Sequence, residues 1–457
     1  MRAGLAGLAG LLACANVNVA AAAETVPLTL EQATARALQT DPRVTERQRL
    51  VDAAQALLTE VNGNEGWRFD ANTFLAVSPG ANGNIFKGGD CAPGSCTLRT
   101  DRYELSNGFS PWVNLQMTIL KPLYTFGKVE NYAAAARANI EVKDNDVRLQ
   151  RATTVLDVKR AYYGYLAARD ARLFLTDVKE RVAKTIDLAK RLLDEGQGDI
   201  RQADIFALQT AHSLVGRYIA QAAGMEKVAN DGLKVLTGVA AHDEIQLADD
   251  ALAPVLLPEA KLPDLQGQAL ANRPEMKQVD AGLRARRSLV EARQADKLPN
   301  VYAGVAGVLS YSPNRDNLKN PYIYDPFNTA GLTPMIGLQW AWQPRAQDAK
   351  VAQEQAELNA LLAKSDFARR GIPFQVAEQY HQMQADYTAV RELSEGSRNA
   401  RRWMIGRYAD FEAGLETADR VIAAFQGYVL AQTDYIKTVY DYNMHVAQLR
   451  NVTGADE

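Results

Sequence analysis

The residues able to do chemistry lie in three places. Two glycine-bearing turns, 192–202 and 408–420, carry the acids Asp199, Asp204, Glu416 and Asp419 close to where helices restart. Carboxylates there can serve the positive end of a helix dipole. Where several copies of a chain converge on an axis, they can instead form rings that repel one another and favour cations. The residues leave both readings open. The third place is Gly89-Asp-Cys91-Ala-Pro-Gly-Ser-Cys96, where glycine and proline allow a tight loop. In an oxidising compartment the two cysteines read as a disulfide clip on a loop tip. His212, His242, His381 and His445 are scattered without ligand spacing, which predicts no metal site. Nothing resembles a nucleotide loop or a catalytic triad, so the chain reads as a non-enzyme without a cofactor. A net charge of −3 with neither sign clustered gives nucleic acid no surface to bind.

The elements that position the turns are very long helices. Residues 128–194 contain no proline and one glycine, Gly164, so a helix can run for the whole stretch, ~100 Å at 1.5 Å per residue. A partner at 199–236 carries Ile205, Leu208, Val215, Ile219, Leu233 and Leu236 in 4,3 register, with His212 on the same seam. The second arm, 345–410, is expected to be interrupted at Gly371-Ile-Pro373, since an interior proline loses a hydrogen bond and clashes with the preceding turn. Its partner has the seam Val421, Phe425, Tyr428, Gln432, Tyr435, Val439, Tyr442, Val446 and Leu449. Gly196, Gly198 and Gly414 suit the left-handed backbone needed to reverse a helix.

Before each long helix the composition changes. Stretches 67–77 and 110–124, then 299–311 and 335–343, are rich in β-formers and aromatics, and Gly/Asn/Pro-rich loops separate the members of each pair. In Val113-Asn-Leu115-Gln-Met117-Thr-Ile119, and again from Ile336 to Gln343, apolar and polar residues alternate. Strands of roughly 9–11 residues with one oily and one wet face suit a transmembrane β-barrel. Trp67, Trp112, Tyr124, Tyr311 and Trp342 fall near strand ends, where an aromatic girdle sits. Four strands are too few to close a barrel, for which about eight are the minimum, so the chain must oligomerise.

The chain repeats itself once. Val158 and Val376, Tyr162 and Tyr380, and Gly196 and Gly414 are each 218 residues apart. Leu38-Gln-Thr-Asp-Pro42 and Leu270-Ala-Asn-Arg-Pro274 match at 232. Residues 24–238 therefore form a first repeat, with a β-hairpin at 67–124 and a helical hairpin at 128–238. Residues 239–263 are a linker belonging to an equatorial collar. Residues 264–457 form a second repeat, with a β-hairpin at 299–343 and a helical hairpin at 345–454. Residues 1–23 read as a secretory signal: Arg2 is the one charge, 4–15 are small and apolar, and Ala21-Ala22-Ala23 supplies the cleavage site. Leu11-Leu12-Ala13-Cys14 offers a second reading, lipidation of Cys14. No later stretch holds eighteen uninterrupted apolar residues, which predicts no helical membrane span.

Six short stretches in order resemble the outer-membrane efflux protein family typified by TolC. They are Leu28-Thr-Leu-Glu-Gln-Ala33 with Asp41-Pro42, Pro122-Leu-Tyr-Thr-Phe-Gly127, Ala161-Tyr-Tyr163, Asn272-Arg-Pro-Glu275, Leu298-Pro299 and Glu412-Ala-Gly-Leu415. The resemblance covers 28–454. It implies a mainly α protein with a membrane β-barrel part, in which a homotrimer builds one twelve-stranded barrel in outer-membrane lipid. Antiparallel helical hairpins form an α-barrel reaching into the periplasm. It further implies a passive duct for efflux, docked at its tips by a periplasmic adaptor and an inner-membrane transporter. Gly196, Gly198, Gly414, Leu415 and Thr417 fall at those tips, and Asp199, Asp204, Glu416 and Asp419 at the periplasmic aperture. The same duct suits type I protein secretion; a periplasmic coiled-coil scaffold without a pore is a third reading. The chain departs from the family pattern twice. Glu416 stands where an arginine often follows the tip glycine, and Gln343-Pro-Arg345 replaces the glycine turn seen at Phe126-Gly127.

Overall fold

The computed structural model describes residues 25–80, 108–196, 200–313 and 325–455. The signal segment, Cys14, Cys91, Cys96, Gly198 and Asp199 lie outside them.

The chain opens with β1 (Thr25–Leu28), α1 (Leu30–Thr40) and α2 (Pro42–Gly63). Thr29 caps α1 reciprocally: its hydroxyl accepts from the Gln32 amide while the Gln32 side chain accepts from the Thr29 amide. Asp41 ends α1 and caps α2, with Pro42 in the first turn, where its missing N–H costs nothing. Strands β2 (Arg68–Pro79) and β3 (Phe109–Tyr124) follow. Phe126 and Gly127, both left-handed at φ 56° and 80°, then swing the chain into α3 (Lys128–Asp194). After α4 (Gln202–Thr237), the short β4 (Glu244–Leu247) pairs in parallel with β1.

The order then runs α5 (Leu262–Asn272), α6 (Pro274–Ala295), β5 (Asn300–Tyr311), β6 (Thr329–Gln339), α7 (Pro344–Glu412) and α8 (Ala418–Thr453). Helix α3 has the bounds the sequence predicts. The expected interruption at Gly371-Ile-Pro373 does not end the helix: α7 is one helical segment with Pro373 inside it. The ring removes one amide from the ladder, and the side chain of Gln266 on α5 donates to the Pro373 carbonyl at 3.0 Å, so α5 braces the site of the defect.

Strand β6 also differs: it runs over 329–339 and not 335–343. Pro334 lies inside it, opposite Val305 of β5. Trp340 and Trp342 fall beyond it and stack on each other at 5.8 Å, and the Trp340 indole donates to the Lys297 carbonyl at 3.0 Å. The second entry into a helix needs no left-handed residue. Gln343 sits at φ −132° and Pro344 starts α7 directly.

The helices pack lengthwise around three main apolar clusters. One joins α3, α4, α7 and α8 near their turns. A second gathers α1, β1 and β4 on α3 around Tyr162. The third gathers α5 on α7 and α8 around Tyr442. The segment after β4 is tied across both hairpins. Tyr162 donates to Asp249 at 2.7 Å, the Leu252 amide donates to Asp170 at 2.8 Å, and the Val255 amide donates to Asn443 at 2.9 Å.

Candidate functional site

The sheet has the order β2-β3-β5-β6 and is antiparallel throughout. Its register sorts residues by parity. Phe69, Leu75 and Val77 of β2 lie in register with Ile119, Val113 and Pro111 of β3. Val113, Leu115 and Met117 lie opposite Tyr311, Leu309 and Gly307 of β5, and Val301 and Ala303 lie opposite Leu338 and Ile336 of β6. This face is open to solvent despite its chemistry: Leu75 is 75% exposed, Leu332 75% and Ile336 79%. The opposite face carries Asp70, Asn72, Asn114, Gln116, Thr118, Thr333 and Gln339. An exposed apolar face of this extent calls for a nonaqueous neighbour, and β2 and β6 leave one edge each unpaired among the described residues.

Trp112 departs from the expected girdle. Its register partner is Ala76, which puts it on the polar face, where its indole donates to Ser310 at 2.6 Å and its ring meets Phe74 edge-on at 4.9 Å. Parity along β3 was legible in the sequence, but proximity to a strand end was the cue that misplaced it. Tyr311 does lie on the apolar face, 61% exposed.

Below the sheet, Asp296 at the end of α6 gathers the helix starts. Tyr132 of α3 donates to it at 2.9 Å, Lys128 approaches it at 3.7 Å, and Gln347 of α7 donates to its carbonyl at 3.1 Å. Burial, and then the Asp296 carboxylate, push the Tyr132 hydroxyl up to about 12. This knot joins strands to helices, and its residues were not picked out by any spacing in the sequence.

At the far end of the helices two turns lie side by side. Gly196 (φ 68°) ends the first arm, and Asp204 accepts from the Arg201 amide at 2.8 Å, capping α4. In the second arm, Gly414 (φ 71°) donates to Phe411 and Leu415 donates back to Asp410 at 2.9 Å, the paired bonds of a Schellman ending. Glu416 is clasped: it contacts Arg407 and Arg420 and accepts from the Thr417 amide at 3.0 Å. That amide and the two guanidinium groups hold its carboxyl below the usual glutamate range. Phe411, Ala418 and Val421 are buried with Leu192, Ile205 and Leu208, so the two turns share one core. Leu415 is 80% exposed and Phe206 59%. Among the described residues no three metal-ligating side chains gather, and no helix is long and apolar enough to cross a membrane.

Residues 94–211 match the outer membrane efflux protein family. The architecture is shared with solved structures over 93% of the chain. For the outer-membrane channel OprN the TM-score is 0.75, at 15% identity over 90% of that chain. For the CmeC outer membrane channel of Campylobacter jejuni it is 0.74, at 10% identity over 86%. The fold is shared with these outer-membrane channels. In sequence, protein CyaE of Bordetella pertussis is 26% identical over 341 residues, 74% of this chain and 68% of that protein. The family match over 94–211 and the likeness of fold both point to outer-membrane channels as what this chain is similar to.

Within this fold, the residues singled out in the sequence fall as follows. Gly196, Asp204, Gly414, Leu415, Glu416, Thr417 and Asp419 all lie at the two helical turns, with Thr417 at the start of α8 and Asp419 exposed in its first turn. Asp204 and Glu416 are already engaged, the first as a cap and the second in the arginine clasp.

Proposed function

We propose that the chain is the passive exit duct of a tripartite export system. Three copies each contribute four strands to one twelve-stranded barrel in the outer membrane. Helices α3, α4, α7 and α8 of each copy continue the tube through the periplasm. The observation that carries this reading is the two-faced sheet with, among the described residues, an unpaired edge on each side. Lipid accepts the apolar face, and an open edge in lipid is forbidden, so closure with other copies is the one arrangement that satisfies both. The duplicated halves, 24–238 and 264–457, supply one β-hairpin and one helical hairpin each, and 239–263 joins them as part of a collar.

The paired turns form the periplasmic mouth and the surface that an adaptor and an inner-membrane transporter engage. Gly196, Gly198 and Gly414 shape the turns, and Leu415 and Thr417 face the adaptor. Asp199, Asp204, Glu416 and Asp419 set the charge of the aperture. Cys91 and Cys96 clip an outer loop. Energy comes from the inner-membrane partner, since the duct itself performs no chemistry.

Small-molecule efflux and type I protein secretion are served by the same geometry, and a deletion strain separates them. Loss of resistance to small toxic compounds marks efflux; loss of one exported protein marks secretion. The duct itself is tested by fractionating membranes and recording current in a planar bilayer. Outer-membrane material that passes stable unitary currents agrees with it. Soluble material that passes none returns the coiled-coil scaffold.

A further inference from the structure

A wall that faces a water-filled tube has no reason to bury its polar side chains. Yet at one end of the sheet five of them are buried: Ser78 at 0%, Ser312 at 2%, and Ser110, Asn114 and Ser310 at 4% exposed. All five have the parity of the polar face. Ser78 pairs with Ser110 and Asn114 with Ser310. They sit at the end away from the helices, since Arg68 and Leu120 mark the helical end of the same strands.

Residues 325–328, Asp-Pro-Phe-Asn, fold back over this patch and are fastened to it. Ser310 donates to the Pro326 carbonyl at 2.6 Å, and the Ser312 amide donates to the Asn328 side chain at 2.8 Å. The Ser78 and Ser312 hydroxyls meet at 2.6 Å, and Ser110 bonds the Pro313 carbonyl. One hydroxyl does two jobs: the Trp112 indole donates to Ser310, which in turn donates to Pro326. The strap and the indole are therefore positioned together. Above them, Phe327 meets Trp112 edge-on at 4.9 Å and 71°, and Trp112 meets Phe74 at 4.9 Å and 86°. Phe74, Trp112 and Phe327 thus form an aromatic cluster at the helix-distant end of the face that carries Asn72, Asn114, Gln116 and Thr118.

We propose that segment 325–328 is a fixed strap narrowing the outer mouth of the pore, with Phe327 and Trp112 setting the width and the apolar character of the exit. The proposal rests on the duct reading, in which the polar face is the lumen and its helix-distant end opens to the outside. Copies around one axis would place their Phe327 rings toward a common passage. An apolar ring in a wet tube holds back bulky hydrated solutes more than small ones. The strap is a specificity element for what leaves, separate from the periplasmic mouth.

The test is thiol labelling from outside intact cells, which reads the outer mouth whatever the state of the periplasmic turns. In a Cys91→Ser, Cys96→Ser background, Gln116→Cys places a thiol on the polar face, exposed and inward of Asn114. A small methanethiosulfonate should label it quickly and a polyethylene-glycol maleimide slowly. Phe327→Ala should raise the polymer rate about tenfold or more while leaving the small-reagent rate unchanged. Asn328→Ala, which keeps every ring but removes one of the two bonds that tie the strap to β5 and the Ser312 that follows it, should raise it too. A polymer rate already equal to the small-reagent rate, or one that neither variant moves, overturns the strap and leaves the pore standing. Failure of the small reagent to reach Gln116→Cys, with Leu115→Cys labelled instead, overturns the lumen assignment and the strap with it.

Discussion

Arg407 and Glu416 face each other across the Gly414 turn, and their guanidinium and carboxylate are in contact. Arg420 approaches the same carboxylate from α8 at 3.4 Å. The acid nearest the turn is therefore neutralised by two cations, and removing it uncovers positive charge. Glu416→Ala should shift ion preference toward anions, and Asp419→Ala should add to the shift; the reversal potential under a salt gradient measures it. Trimer assembly should survive both changes. Unaltered conductance and preference would remove these acids from the aperture.

The clasp also has a pH signature. Because the folded carboxyl lies below its unfolded value, its contribution is full above the ordinary glutamate range and is lost only as pH falls through the lower, folded value. Amide exchange at Thr417–Val421 should be the same at neutral and mildly acidic pH and rise only in stronger acid. Glu416→Gln should show the fast exchange at every pH.

The tie at Asp170 runs the other way. Burial raises its carboxyl above the usual range, so its ionised form costs stability at neutral pH. Asp170→Asn keeps an acceptor for the Leu252 amide and should be neutral or stabilising, with the gain vanishing as pH falls below the carboxylate range. Asp170→Ala orphans that amide and should cost about 1–3 kcal/mol. Thermal denaturation of the detergent-solubilised protein reports both.

The faces of the sheet make opposite predictions for one new charge. Ile336→Arg on the apolar face should cost up to about 2–4 kcal/mol and depress outer-membrane yield. Gln116→Arg on the polar face should assemble normally and change ion selectivity. Equal damage from both would contradict the assignment of faces.

Gly304 is fixed by close approach. A Cβ there would lie 2.2 Å from the Ile119 carbonyl oxygen, a backbone atom that cannot move aside. Gly304→Ala should sharply lower the amount of assembled barrel recovered from outer membranes. Gly396→Ala, in open space on α7, should be neutral or stabilise by up to about 1 kcal/mol.

The long helices were legible because their apolar seams and punctuation are local: Gly127 before α3, the glycine after it, and an unbroken helical composition between. What the sequence hid was set by distant partners. Pro373 signals a break in isolation, but Ile372 and Val376 beside it are buried against α5 and α8, and packing outweighs one lost bond. Trp340 and Trp342 continue the alternation of β6, yet the Lys297 carbonyl and the Pro344 helix start take them out of the strand. The β1–β4 pair is four residues long and joins segments over two hundred residues apart, so no local pattern announces it. At the turns, spacing located the acids but could not tell that Glu416 is clasped by Arg407, because the pair meets only after the chain reverses.

The strand count makes the most direct demand. Four strands that leave two open edges among the described residues must be completed by other copies, so the mass of the protein extracted from outer membranes in detergent, measured by light scattering, decides the matter. The account predicts three chains per particle. A monodisperse single chain that keeps its β-structure in detergent would contradict it.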